Sequence, residues 1–180
     1  MNNDKSWELK KLSFVKVLED FALRSPVFEV LGVEDFGDEL RTLVRFNTQT
    51  LVKERDGEII TRGPVMVGVR YHESCVSTPP LPWEIATVLE PGRVFHPNVN
   101  AAGAICLGHP PANMPLGEIL HTTWAALVLN MKLVNTIDWQ IFNREAAIYV
   151  RANCSKFPIT PRGLLEPLDS REPSKKEPKA

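Results

Sequence analysis

Between Ser6 and Arg24 the apolar residues Phe14, Val15, Leu18, Phe21 and Ala22 recur at three- and four-residue spacing, separated by lysines and acids. That period predicts an amphipathic helix. Ser25-Pro26 should stop it, because proline disfavours the helical region in the residue before it. After an acid-rich stretch from Asp35 to Leu40 the period changes. Leu40 to Val52 is rich in Thr, Val, Leu and Phe, and Asp56-Gly57 marks a tight turn. Val65, Val67, Val69 and Tyr71 then alternate with Met66, Gly68 and Arg70, which places the four large residues on one sheet face. Trp83 to Leu89 reads as a further strand, completing an antiparallel meander. Pro79-Pro80-Leu81-Pro82 precedes it and Pro91-Gly92 follows it. Helical spacing returns from Leu116 to Val134, where Leu120, Trp124, Leu127, Val128, Met131 and Val134 form a wide apolar stripe of a buried helix. Asn135-Thr136-Ile137-Asp138 breaks it, and Phe142 to Arg151 is a short second helix.

Beyond Phe157 come Pro158, Pro161, Pro167, Pro173 and Pro178 within a charged end. This composition predicts an irregular wrap followed by a disordered tail, so the expected division is a domain over residues 1–157 and an appendage over 158–180. Strands followed by helices, rather than alternating with them, define an α+β class.

Composition narrows the functional classes. At 180 residues the chain has the length of one domain, and 43% apolar with 24% charged residues is a globular balance. With 21 basic and 22 acidic residues, no global field draws the chain to nucleic acid or an anionic membrane. Partners must be recognised locally. Cys75, Cys106 and Cys154 show no paired or Cys-x-x-Cys spacing, which points to reduced thiols. Neither a signal-like amino terminus nor a membrane-length apolar run is seen, so the expected location is the cytoplasm.

Candidate chemistry centres on residues 94–108, Val-Phe-His-Pro-Asn-Val-Asn-Ala-Ala-Gly-Ala-Ile-Cys-Leu-Gly. A cysteine between Ile105 and Leu107 is by itself more often a small buried hydrophobe than a nucleophile. Yet Pro97, Gly103, Gly108, Pro110, Pro111, Pro115 and Gly117 keep residues 94–117 from forming a regular helix or central strand. Irregular backbone on a rigid scaffold commonly presents reactive groups. His96-Pro97-Asn98 is also ordinary turn chemistry.

This run resembles the active-site segment of a ubiquitin-conjugating enzyme, and the helix–strands–helices order is similar to that family's fold. The resemblance spans roughly Ser6 to Ala152 and is specific between Val94 and Leu107. It implies that Cys106 carries a ubiquitin-like protein as a thioester, received from an activating enzyme that consumes the ATP and passed to a lysine amine of a target protein. It implies a structural, hydrogen-bonding His96, and an Asn98 that supports an oxyanion or the loop shaping the site. Setting Met114-Pro115 where the family has Trp-x-Pro places Asp138 at the family's acidic gate, where a carboxylate can assist the incoming amine. Asn143 and Glu145-Ala146-Ala147 follow in the family's manner. Asp138 could equally cap a helix beginning near Trp139. No cofactor, metal, nucleic-acid or membrane requirement is implied.

The chain departs from the family in four places. Gly108-His109 stands where an acid often follows the Cys-Leu pair, and Met114 replaces a tryptophan. The stretch between Pro79-Pro80 and His96 is longer than usual, and the typical last helix is absent. These departures point to a divergent member, as in a bacterial ubiquitin-like conjugation system encoded beside an activating enzyme and a metalloprotease in antiviral defence operons. Two other readings stand beside it. One is a non-catalytic module of the same fold that binds ubiquitin-like proteins; the other is a cysteine hydrolase pairing Cys106 with His109. His72 and Cys75, two potential ligands, make no metal site.

Overall fold

The computed structural model describes residues 2–132, 134, 141–160 and 163–165. Helix α1 (Asn2–Arg24) starts four residues before the predicted Ser6 and ends at the expected Ser25-Pro26. Its buried positions are Trp7, Phe14, Leu18 and Phe21, whereas Val15, counted in the sequence stripe, faces out. Strands β1 (Phe28–Asp35), β2 (Glu39–Phe46), β5 (Val65–His72) and β6 (Ala86–Glu90) form an antiparallel sheet in the order β1-β2-β5-β6. Strands β3 (Thr50–Lys53) and β4 (Ile59–Arg62) form a separate hairpin between β2 and β5. Helices α2 (Leu116–Leu127) and α3 (Arg144–Ala152) follow. The described chain is thus α+β, as expected.

Register explains how the sheet holds its core. Leu40, Thr42, Val44 and Phe46 of β2 stand opposite Tyr71, Val69, Val67 and Val65 of β5, and all eight are buried. Side chains alternate with a period of two, so a one-residue slip would turn every one of these to the other face. Helix α1 covers this face through Phe14, whose ring lies 6.0 Å from that of Tyr71. Phe21, Phe28 and Phe46 continue the contact as a chain of rings at 5.8 and 5.5 Å. Gly117, in the first turn of α2, lets the two helices approach closely: a β-carbon there would meet the Phe21 ring at 3.4 Å.

Several expectations are corrected. The Leu40–Val52 run divides at Asn47-Thr48-Gln49 into β2 and β3, and the Asp56-Gly57 turn belongs to the β3–β4 hairpin. The further strand covers Ala86–Glu90 rather than Trp83 to Leu89. β1 was not predicted because it is a sheet edge, largely exposed beyond Val30, and so lacks a clean alternation. The helix expected to reach Val134 ends at Leu127, where the chain makes a Schellman turn. Leu129 N–H bonds Ala126 O at 2.8 Å and Asn130 N–H bonds Ala125 O at 2.9 Å. Leu129 takes the left-handed backbone, φ 60°, that such turns normally give to glycine. That conformation costs an ordinary residue about 1–2 kcal/mol, but full burial of a leucine side chain returns about 1.5–3 kcal/mol. Leu129 is fully buried with Leu51, Phe95, Val134, Ala146 and Val150 in a second, smaller core between the hairpin and α3. Apolar spacing continues through the turn because this second core, not a longer helix, uses it. α3 itself begins two residues later than predicted, capped by Asn143, whose Oδ1 accepts from Ala146 N–H at 3.0 Å.

The proline-rich end returns to the molecule. Ile159 N–H bonds Val128 O at 2.8 Å, Ser25 Oγ donates to Leu164 O, and Leu164 is fully buried in the main core. Among the described residues no helix is long and apolar enough to cross a membrane. Removing a fully buried leucine typically costs 2–5 kcal/mol. Leu164→Ala is therefore expected to lower the free energy of urea unfolding by about 2–4 kcal/mol. A loss below about 0.5 kcal/mol would show that the wrap does not anchor the core.

Candidate functional site

The segment leading to His96 is held by the inserted hairpin. Phe95 N–H bonds Leu51 O at 2.8 Å, Lys53 N–H bonds Arg93 O at 3.2 Å, and Val52 and Val94 form an antiparallel bridge. Lys53 also lies over the Phe95 ring and pairs with Glu145 of α3. His96 follows, fully buried beneath the site.

Its two ring nitrogens have different partners. Nδ1 accepts the Asn98 backbone N–H at 3.0 Å, so it carries no hydrogen; Nε2 faces Ala126 O at 2.7 Å, so it donates. The imidazole is therefore the neutral Nε2–H tautomer. Burial pushes its pKa from 6.5 down to about 4, opposed only in part by the bond to Ala126. A second proton would have to enter at Nδ1, against the Asn98 N–H. His96 is thus a fixed link between α2 and the loop above it.

Asn98 and Cys106 are joined twice. Cys106 N–H bonds Asn98 O at 2.7 Å, and Asn98 Nδ2 donates to Cys106 O at 3.2 Å. Between them the chain doubles back. Val99 and Ile105 form an antiparallel bridge, and Asn100 Oδ1 accepts from Ala102 and Ala104 N–H at 2.9 and 3.0 Å. Gly103 makes the reversal with φ +87°, and a β-carbon there would lie 2.4 Å from Val88 O. Glycine alone satisfies both the dihedral and the space. The returning limb then pairs with β6, Ile105 N–H to Ala86 O at 2.9 Å and Val88 N–H to Gly103 O at 2.8 Å. The segment expected to be irregular is thus an added edge of the sheet as far as Ile105, and irregular beyond it.

Cys106 lies where this edge ends, 7% exposed. Leu107 N–H bonds Pro82 O at 2.9 Å on one side, and Phe142 N–H bonds Pro97 O at 2.9 Å on the other. The residues beside these bonds, Trp83 and Phe142, meet edge to face with ring centres 6.0 Å apart, both partly exposed. This aromatic pair spans the two segments that grip the Cys106 loop. Gly108, also left-handed at φ +81°, turns the chain away, and His109 beyond it is exposed. Asp138 lies outside the described residues. Among the described residues no group of three or more His, Cys, Asp or Glu is placed to hold a metal ion. Cys75 is buried, which raises its thiol pKa, and His72 Nδ1 instead accepts from Ser74 N–H.

Sequence reasoning named His96, Asn98 and Cys106 as candidates, and the fold brings these three together. It missed the Ala126 carbonyl, Asn100 and the Trp83–Phe142 pair. Asn100-x-x-Gly103 was a legible turn signal; the other two depend on tertiary placement. No protein-family model matches the chain, and no curated protein matches it.

The His96 geometry predicts a pH effect. A base whose pKa is lowered by folding binds fewer protons folded than unfolded, so its contribution is fully present above pH 6.5 and declines as pH falls toward about 4. For His96 that decline is on the order of 3 kcal/mol. His96→Gln lacks this titration. Urea unfolding at pH 7 and pH 4.5 is therefore expected to show a steeper loss in the native chain than in the variant. Parallel pH profiles would show that His96 is not held neutral.

Proposed function

We propose that this chain is a divergent ubiquitin-conjugating-like enzyme with that family's fold, acting in the cytoplasm and belonging to a bacterial ubiquitin-like conjugation system with an antiviral role. The observation that carries the reading is the paired bond between Asn98 and Cys106, seated on a neutral His96. It fixes the backbone of one cysteine at the end of a sheet edge while leaving the following Gly108 turn irregular.

Cys106 Sγ attacks the thioester carbonyl of a ubiquitin-like protein held on an activating enzyme, whose thiol leaves with the proton. The new thioester is then attacked by a lysine amine of the target. The C–N bond forms, the C–S bond breaks, and the proton lost by the amine returns to the Cys106 thiolate. Developing oxyanion charge calls for preorganised donors. The amide of Asn98 spends a hydrogen on the Cys106 carbonyl, which supports a loop-holding role. Asp138 is the proposed acidic aid to the amine.

The test combines the chain with the activating enzyme, ATP and ubiquitin-like protein of a bacterial operon of this type. A reducible adduct is expected on non-reducing gels, absent in Cys106→Ala. Retained binding without an adduct would favour the non-catalytic module, and cleavage of a preformed conjugate would favour a hydrolase. Because Asn98 braces the nucleophile's own backbone, Asn98→Ala is expected to slow loading and discharge together, each by about tenfold, as loss of one buried hydrogen bond implies. Loading left intact with discharge slowed would instead assign Asn98 to the oxyanion.

A further inference from the structure

A sheet leaves a row of unpaired backbone groups along each outer strand unless something covers them. The two edges of the four-stranded sheet differ in this respect. β6 is closed by the Gly103–Ile105 limb, through Val88 N–H to Gly103 O and Ile105 N–H to Ala86 O. β1 has β2 on one side only, and among the described residues no backbone hydrogen bond or bridge reaches Phe28–Asp35 from the other side. Every residue from Leu31 to Asp35 is exposed, so the outward N–H and C=O groups of this stretch are open to a partner.

The strand is shaped to take one. Edges that must stay unpaired are often blocked by proline or lysine, and β1 contains neither. Its bulge between Val30 and Gly32 is followed by unbroken pairing with β2 from Gly32 to Asp35. Residues directly opposite share a face. Val33 therefore lies on the side of buried Thr42, and Glu34 on the opposite side with Arg41. Leu31, Val33 and Phe36 are 42%, 40% and 53% exposed, apolar surface that a strand laid alongside would cover.

Charge selects the occupant. β1 holds Glu29, Glu34 and Asp35 and no basic residue. Glu29 pairs with Arg45, and Asp35 with Lys11. Arg41, directly across from Glu34, turns instead to Glu39 and the Phe36 ring. Among the described residues Glu34 is left without an ion pair. A second copy of β1 would set acids beside acids, which is unfavourable across a strand pair. A strand with a basic residue on the Glu34 face and an apolar one on the Val33 face meets both conditions.

We propose that the β1 edge takes up an extended segment of a partner protein in which basic and apolar residues alternate. The segment adds a fifth strand to the sheet: its backbone pairs with the outward groups of Leu31–Asp35, a basic side chain reaches Glu34, and an apolar one covers Val33. This surface is independent of the thioester reading.

The experiment uses the full chain labelled with nitrogen-15 and the peptide acetyl-Lys-Val-Lys-Val-Lys-Val-amide. Saturable NMR shifts confined to β1 and its flanks are expected, together with slowed hydrogen exchange at those β1 amides that face away from β2. The binding should weaken as salt is raised. The counterpart with glutamate in place of lysine should not bind, and neither should the basic peptide N-methylated at its inner residues, which keeps the charge but cannot pair as a strand. Glu34→Lys, at an exposed position, should weaken binding of the basic peptide by about fivefold, the upper range for one exposed ion pair. No saturable shift, equal binding of the N-methylated peptide, or undiminished binding by Glu34→Lys would overturn the proposal. So would slow exchange of the outward β1 amides in the peptide-free chain. If that protection grew with chain concentration, a second copy would hold the edge; if not, the chain would cover the edge itself.

Discussion

His96 takes the Asn98 amide hydrogen on one ring nitrogen and gives a hydrogen to Ala126 with the other, and the two bonds coexist only while the imidazole is neutral. Ala126 belongs to the last turn of α2, so the ring joins the helix to the loop of Cys106. Everything above it is built on that join. Asn98, once its N–H is fixed, presents its carbonyl and its side-chain amide to the two sides of Cys106. The position of the thiol therefore depends on α2 as much as on its own loop.

The same helix end serves a second purpose. Its early stop, with Leu129 in the left-handed region, sends Leu129 into the smaller core beside Phe95. Phe95 is the residue before His96, and its N–H is held by the β3–β4 hairpin. The hairpin, the helix terminus and α3 thus converge on the three residues that precede the His-Pro-Asn turn. Packed cores transmit strain, so the inserted hairpin is a brace for the site rather than an ornament on the sheet.

The legible parts of this structure were those set by local period. β5 read cleanly because Val65, Val67, Val69 and Tyr71 alternate against a half-open face. The His-Pro-Asn turn and Cys106 read through their motif, and the fold places them together. β1 was hidden because an edge strand has little reason to alternate, and β4 because four residues carry too little pattern. The end of α2 was hidden because apolar spacing records burial, not helicity, and Leu129 and Val134, past Leu127, are buried in a different core. Fully buried Leu164, in a stretch whose prolines read as a loose wrap, shows the converse limit. One anchoring side chain leaves no periodic trace.

The central claim is that a His96 kept neutral at physiological pH holds the Cys106 loop to α2. Long-range nitrogen–proton NMR correlation on the imidazoles tests it most directly, since it distinguishes the tautomers and follows their protonation. His96 should show the Nε2–H tautomer alone and keep it unchanged as the pH is lowered from 8 to 5. A His96 ring that titrates near the ordinary value of 6.5, or that carries its hydrogen on Nδ1, would contradict the account.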